Sequence, residues 1–456
     1  MSIINRFITI TLGSALLLWN TGCRKYVEVT PIGKRALVNT QDYQLLLQYS
    51  TDILKSASFP LIAADDYGVS DTNFETNMRT VTGAVYTWAT TFVGDQEDPD
   101  WSVLYKQIYV YNQIIGGVRE SEGGTAAQKE MIRSEALVQR AYSYLILVNC
   151  YARHYNKATA ATDPGVPLLL QPDLFAKLNR ASVQAVYDQV MSDLQEAVPA
   201  LPDQATINLL PSATAAYAVM ARASLYMADY ANAAKYADSA LARQSTLTDL
   251  RLYKDNIVNL PRLYKDPEVM LAKTTIALGE VYALNPDLLA LFGTGDLRYE
   301  MFTADGSSFP WASFPGRGYW RTRLSETEAW TGPSVAEMML IKAECAARNG
   351  QAADAVDQLN KLRVTRFTAE SYADVSAATP EAALRLVLDE RRRELMGTGL
   401  RWFDQKRLNL ETAFATTVTR TYLGETFTLQ PNSNRYVFPI ATKYIQFNPE
   451  IEQNPR

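Results

Sequence analysis

Apolar residues recur at helical spacing along much of this chain, and the repeats come in pairs. Residues 125–151 open with Thr125 and Gln128, a capping-box pair. Leu137, Ala141, Tyr144, Leu145 and Val148 then mark one face of a helix. The stretch AAYAVMARASLYMADYANAAKYADSAL (215–241) carries two such faces. Ala221, Leu225 and Ala228 line the first; Ala233, Tyr236, Ala237 and Ala240 line the second; Asp229-Tyr230 falls at the turn. Alanines let two helices approach closely while Leu and Tyr fill the gaps, which is the packing of a tetratricopeptide hairpin. SVAEMMLIKAECAARNGQAADAVDQLNKLR (334–363) repeats the pattern, with Ser334 and Glu337 as a capping box and Asn349-Gly350 as the helix-ending turn. A further pair joins 131–151 to 183–198 across an insertion at 152–181, and Thr379-Pro380 starts another helix with Pro at its first position.

Between these units lie long segments rich in Gly, Pro and aromatics, chiefly 59–101 and 292–333. Loops of that length inside a compact domain usually carry function. The expected fold is therefore mainly α: helical hairpins forming a scaffold that carries long irregular loops.

The start of the chain changes the picture of where it works. Phe7 to Trp19 is an apolar run of 13 residues, short of the roughly 20 that cross a bilayer core. After Arg6 it fits the h-region of a secretory signal, and the small pair Thr21-Gly22 precedes Cys23. A cysteine at that cut is acylated in bacterial lipoproteins, so residues 1–22 read as a signal peptide and Cys23 as the lipid attachment point. Plain secretion and a buried first helix are the alternatives. The 456 residues are 47% apolar, enough for a real core, and carry a formal net charge of −5. Arg6 is the one charge in the signal, so the mature chain is more acidic still, which argues against nucleic acid as a partner. Cys150 and Cys345 sit in helix-patterned apolar segments and read as inert core thiols.

Catalytic candidates are few. His154 is the only histidine, which leaves neither a His-based triad nor a zinc motif easy to build, and a surface or helix-end position suits it better. No GxSxG, P-loop or dinucleotide fingerprint occurs. The run DQEDPD (95–100) lacks EF-hand spacing and reads as a solvated loop entering a helix at Trp101, with cation binding as the alternative. Asp65, Asp66 and these carboxylates also leave a glycosidase pair open, since that chemistry needs two carboxyls at a set separation. In DERRRELMGTGLRWFDQKR (389–407), Arg391 falls on the apolar face of Leu384, Val387, Leu388 and Leu395, and an Arg–carboxylate network with Glu390, Glu394 and Asp404 is expected to lock helices together. No metal site, catalytic residue or cofactor is expected.

Binding candidates are better supported. FPWASFPGRGYWR (309–321) sets Trp311, Phe314, Tyr319 and Trp320 among turn residues, where rigid rings offer stacking faces at little entropic cost. Arg317 and Arg321 can hydrogen-bond hydroxyls or carboxylates. The stretch ADDYGVSDTNFE (64–75) adds Asp65, Asp66 and Asn73. Packing of the loop rings onto the scaffold is the competing reading, and Trp88 and Trp101 are expected to be structural.

Several segments together resemble the RagB/SusD family of nutrient-binding outer-membrane lipoproteins. They are Cys23 followed by YVEVTP, WSVLYKQIYVYNQI (101–114), EALVQRAYSYLILVNCYA (135–152), GVPLLL (165–170), YDQVMSDLQEAVPALP (187–202) and the alanine-rich hairpin. AEMMLIKAECAARNG (336–350), ERRRELMGTGLRWFDQKR (390–407) and VFPIATKYIQFNPEIEQNP (437–455) close the series. The resemblance implies four tetratricopeptide-like hairpins, with an N-terminal region at 23–210 and a C-terminal region at 211–456 forming one compact unit. It implies attachment to the outer membrane through lipid, facing the exterior, and capture of glycan or peptide without turnover. The implied partner is a TonB-dependent transporter of the SusC type. In relatives the ligand surface comes from positions matching roughly 65–90 and 296–322. The rivals are a glycoside hydrolase using the loop carboxylates and a tetratricopeptide protein-interaction scaffold.

Overall fold

The computed structural model describes residues 37–49, 53–275, 281–309, 313–321 and 328–456. The proposed signal peptide, Cys23 and Trp311 lie outside the described residues. Among the described residues, the helices that build the scaffold and the site are α1 (Thr40–Tyr49), α2 (Phe59–Ala63), α3 (Thr72–Asn77), α4 (Thr80–Tyr86), α5 (Pro99–Gly117), α6 (Ala126–Tyr151) and α7 (Val183–Ala197). They continue with α8 (Ala213–Tyr226), α9 (Tyr230–Leu241), α10 (Leu297–Phe302), α11 (Val335–Arg348), α12 (Ala352–Arg363), α13 (Pro380–Glu394) and α14 (Leu400–Leu408). Among the described residues four two-stranded sheets accompany them: β1 (Lys55–Ser56) with β4 (Thr274–Thr275) in parallel, and three antiparallel pairs. These are β2 (Pro164–Pro167) with β3 (Arg180–Ser182), β5 (Thr303–Asp305) with β6 (Arg317–Tyr319), and β7 (Val418–Tyr422) with β8 (Glu425–Leu429).

Helices α5 to α9 pack each on the next; α11 then packs on α9, α12 on α11, and α13 on both α11 and α12. This is a stacked row of helical hairpins, the mainly α scaffold that the periodicity predicts. Local chemistry sets its boundaries. Thr125 and Gln128 form the full reciprocal capping box of α6. Thr379 caps α13 with Pro380 at its first position, and Gly350 takes φ +82 where α11 turns into α12. Ala233, Ala237 and Ala240 are buried on α9. Ala228 departs from the expected face: α8 ends at Tyr226, and Ala228 sits exposed in the turn at φ +55.

At Ser334 the capping box is half formed. The Ser334 hydroxyl accepts from the Glu337 N–H, but the Glu337 carboxylate turns into the core and takes a bidentate pair from Arg222 at 2.8 and 2.6 Å. Both side chains are fully buried. The pair ties α8 to α11 across two hairpins.

The expected Arg network is present and larger than its local sequence suggests. Arg391 pairs with Asp404 at 2.8 Å, joining α13 to α14. Arg298 of α10 binds Asp296, Glu390 and Glu394 at 2.6–2.7 Å, and Arg366 binds Glu268 and Glu394, both at 2.8 Å. Charge-assisted bonds of this kind satisfy buried ions that would otherwise be very costly.

Residues 59–101 are not an open loop. They hold α2 to α4 and contribute Phe59, Ile62, Trp88 and Phe92 to the main core. Trp88 is fully buried and donates its indole N–H to the Ala63 carbonyl, while Trp101 stacks on Tyr444, so both are structural as expected. The acidic run 95–100 is solvated only in part. Asp95, Gln96 and Glu97 are exposed, but Asp98 and Asp100 are buried. Asp98 caps α5, accepting from the N–H groups of Asp100 and Trp101 and from the Tyr151 hydroxyl, so the helix starts at Pro99. Asp100 accepts from the N–H groups of Ser58 and Phe59. Burial raises both carboxyls, Asp98 to about 6 and Asp100 to about 8.

Candidate functional site

The two aromatic segments singled out in the sequence meet in space. Antiparallel pairing links Tyr67 to Leu284, Ala283 to Gly318, and β6 to β5. Four short stretches, 66–68, 282–285, 317–319 and 303–305, therefore lie side by side as one narrow layer. Gly318 sits where a side chain cannot, since a Cβ there would fall 2.7 Å from the Phe309 ring.

Aromatic rings fill the space around this layer. Tyr67 lies 5.1 Å from Tyr282, Tyr282 6.1 Å from Tyr319, and Phe74 of α3 lies 5.1 Å from Phe314. Phe309 meets Trp320 edge to face at 4.4 Å. Such contacts each contribute about 0.5–1.5 kcal/mol beyond area burial, so the Phe74 ring of α3 and the Phe314 ring hold one another in place, as do Phe309 and Trp320. An exposed rim of amides and hydroxyls surrounds the rings: Thr72, Asn73 and Thr76 from α3, and Ser307, Ser308 and Ser313 from the facing segment.

Arginines from the C-terminal half anchor the layer. Arg401 of α14 grips the Asp65 carboxylate at 2.7 and 2.8 Å, and Arg392 of α13 takes Asp66 at 2.7 Å. The Arg401 and Arg392 guanidiniums hold the Asp65 carboxyl low against its burial. Asp66 is more deeply buried, and burial together with the Asp65 charge pushes its carboxyl up. Arg420 of β7 lies between the Tyr86 and Trp88 rings at 4.3 and 4.5 Å and donates to the Ile62 and Tyr86 carbonyls.

The predicted residues thus fall into different surroundings. Asn73 is exposed on α3. Arg317 is half-buried over the Tyr299 ring at 4.3 Å and donates to the Thr303 hydroxyl at 2.7 Å. Tyr319 is buried, which raises its hydroxyl, and Trp320 is half-buried on Phe309. Arg321 packs between Phe302 and Trp330 and faces Asp266 at 3.6 Å rather than standing free. Asp65 and Asp66 both face arginines, so their carboxylates shape the site from below. His154 does follow the end of α6, but it is buried, not at the surface; burial with nearby Lys406 and Arg407 lowers it to about 3 and keeps it neutral.

Residues 44–225 match a family model described as SusD-like, starch-binding and associating with the outer membrane, and residues 327–456 match the SusD family model. The chain belongs to the SusD family. Solved structures share the fold over almost the whole of this SusD-family chain. A SusD superfamily protein from Bacteroides thetaiotaomicron aligns with TM-score 0.74 at 20% identity, covering 92% of this chain and 100% of the other. A putative sugar-binding protein from Bacteroides vulgatus gives 0.73 at 19%, covering 92% and 99%. A laminarin-binding SusD-like protein gives 0.66 at 18%, covering 92% and 99%. A SusD-like protein of Formosa agariphila, P38, is 31% identical over 124 residues, which is 26% of this chain and 23% of that protein. The match therefore spans less than a quarter of that relative. Among the described residues no helix is long and apolar enough to cross a membrane.

Sequence reasoning missed Tyr67 and Tyr282, which join the two segments, and the anchors Arg392, Arg401 and Arg420. Arg420 left a signal. Along β7 it alternates in register with buried Val418 and is itself buried between exposed threonines, so a charge stood at an inward position. Tyr282 left none, because its partner Tyr67 is distant in the chain.

Proposed function

We propose that this SusD-family protein is an outer-membrane lipoprotein, acylated at Cys23, that holds an oligomeric glycan non-covalently and delivers it to a SusC-like TonB-dependent transporter. The observation that carries the reading is the junction of α3 with residues 303–309 and 313–320. Rings there are fixed by mutual packing, and amide and hydroxyl groups are exposed around them. Aromatic faces pack on the C–H surfaces of sugars, while amides and hydroxyls match their hydroxyl groups in both donor and acceptor sense. Asn73, Arg317 and Trp320, with Trp311, form the binding surface, the buried Tyr319 packs beneath it, and Asp65 and Asp66 support it through their arginines. The family description as starch-binding and the laminarin-binding relative support glycan over peptide as the ligand.

Binding of a panel of oligosaccharides and peptides, measured calorimetrically with Trp311→Ala and Trp320→Ala alongside the native chain, tests the site. Loss of affinity for one glycan class in either variant is expected; unchanged affinity in both removes the assignment. Release of shorter sugars by the purified protein would instead favour the hydrolase. Mass spectrometry of the N-terminus from membranes should find acylated Cys23, and an uncleaved Met1 would favour the interaction scaffold. Co-purification with a transporter from those membranes tests the hand-over.

A further inference from the structure

Two loops hold large apolar side chains out in solvent. In the 252–265 loop Leu252 and Val258 are 76% and 74% exposed, and Tyr264 is exposed beside Ile207. In the 171–177 loop Phe175 is 95% exposed. A lone exposed apolar residue is ordinary, whereas a cluster rimmed by charge marks a contact surface. Charge separates the two loops. Around Phe175 the exposed charges are Asp173 and Lys177, which cancel. The 252–265 loop exposes Lys254, Arg262 and Lys265 against Asp255, on a chain whose formal net charge is −5. Glu370, from outside the loop, lies near Lys254 and still leaves cations in excess.

The loop is fixed from below. Leu250 and Leu260 are buried in one cluster with Leu284 and Tyr319, and Leu263 is buried with Val269 and Trp330. Between these roots the Asn256 N–H donates to the Tyr253 carbonyl and the Asn259 N–H to the Asn256 carbonyl, both at 3.1 Å. Leu252 and Val258 therefore stand outward on an ordered backbone, and covering them costs little further ordering.

The described chain begins beside this loop. Asn208 donates to the Tyr264 carbonyl at 3.2 Å and to the Leu263 carbonyl at 3.0 Å. The next residue, Leu209, packs with Leu37 on the cluster that holds α1. Residues 24–36 can span at most about 45 Å, and they carry Arg24, Lys25, Lys34 and Arg35 against Glu28. A bilayer anchor at Cys23 thus keeps the loop within reach of the lipid surface at high effective concentration.

We propose that the 252–265 loop is a membrane-contact face that seats the protein on an anionic lipid surface. The proposal rests on the reading of Cys23 as the acylated residue. Leu252 and Val258 enter the boundary between headgroups and acyl chains, and Tyr264 suits the headgroup level with its apolar ring and polar tip. Lys254, Arg262 and Lys265 reach anionic headgroups along their apolar stems. An acyl chain alone fixes position but not orientation, and this second contact supplies the orientation. Because Leu284 and Tyr319 share the cluster that roots the loop, the contact holds the aromatic layer close to the bilayer, where a transporter would receive the ligand.

The test uses the full mature chain with Cys23→Ser, held on vesicles by an N-terminal polyhistidine tag and a nickel-chelating lipid, so that it does not depend on acylation. Cys150 and Cys345 are buried, so a thiol-reactive dye attaches only at an introduced Val258→Cys or Phe175→Cys. On phosphatidylcholine–phosphatidylglycerol vesicles, brominated lipid should quench dye at Val258→Cys at least about threefold more than dye at Phe175→Cys. Lys254→Gln with Lys265→Gln, or omission of phosphatidylglycerol, should each cut that quenching at least about twofold. All four positions are exposed, so the substitutions leave the packed core untouched. No quenching at Val258→Cys, equal quenching at Phe175→Cys, or indifference to the lysine pair or to phosphatidylglycerol overturns the proposal. A native N-terminus without lipid would instead remove the anchor reading and leave this measurement standing.

Discussion

Replacing Asp65 by Asn removes one charge and keeps the side chain's shape. In the native protein this carboxylate takes both N–H groups of one edge of Arg401, at 2.7 and 2.8 Å, and lies 3.5 Å from Arg392. The Asp65 and Arg401 side chains are 14% and 20% exposed, so the pair stands nearer the buried than the surface case. Breaking a buried pair costs about 3–5 kcal/mol, and an open surface pair contributes about 0–1 kcal/mol. Arg401 has no other ion pair among the described residues, whereas Arg392 keeps Asp66. The Asn oxygen still accepts one bond, which trims the loss. We expect Asp65→Asn to lower unfolding free energy by about 2–3 kcal/mol, read as a shift of the urea midpoint at unchanged slope. The pH dependence follows from the low Asp65 carboxyl in the folded state. The unfolded chain binds the proton more readily, so the stabilisation is whole above a pH of about 4 and fades as pH falls. The native and Asn proteins should therefore converge in stability at acid pH. Asp65→Asn should also weaken glycan binding, because Arg401 then no longer tethers the 65–77 segment. A loss under about 1 kcal/mol at neutral pH, or a difference that persists unchanged into acid, would refute the reasoning.

Other outcomes follow from single contacts. Gly397 takes φ +77 and a Cβ there would fall 2.4 Å from the buried Tyr319 ring, so Gly397→Ala should cost about 2 kcal/mol or more in chemical denaturation, and a neutral result would show that the ring yields. Arg222→Met and Glu337→Leu should each cost about 3–5 kcal/mol alone, but the double variant should recover most of it; additive losses would show that the pair does not act as a unit. Cys150 and Cys345 are buried thiols; burial pushes Cys345 up to about 12 and raises Cys150 well above the ordinary thiol value. Neither should react with a thiol reagent at pH 8 until the chain is unfolded, and rapid labelling of the native protein would contradict the packing.

The acid and basic residues show where legibility stopped. The run around Arg391 announced an ion network, and Glu390, Glu394 and Asp404 are in it. Its other members, Arg298, Arg366 and Glu344, come from distant segments that carry no mark of the partnership. Asp98 and Asp100 read as solvated because acidic runs usually are, yet backbone N–H groups of α2 and α5 bury them. Asp65 and Asp66 read as ligand contacts for the same kind of reason, and the arginines that face them are more than 300 residues away.

Helix positions, caps and the alanine-lined hairpin faces were determined by the sequence alone, because they depend on residues three or four apart. The period of the apolar side chains and the capping groups at Thr125, Ser334 and Thr379 express that local chemistry directly. The meeting of Tyr67 with Tyr282 and of Phe74 with Phe314 was decided only by the tertiary structure. Those neighbours are brought together by the stacking of the hairpins, and a contact between chain-distant side chains leaves no spacing in the sequence from which to read it.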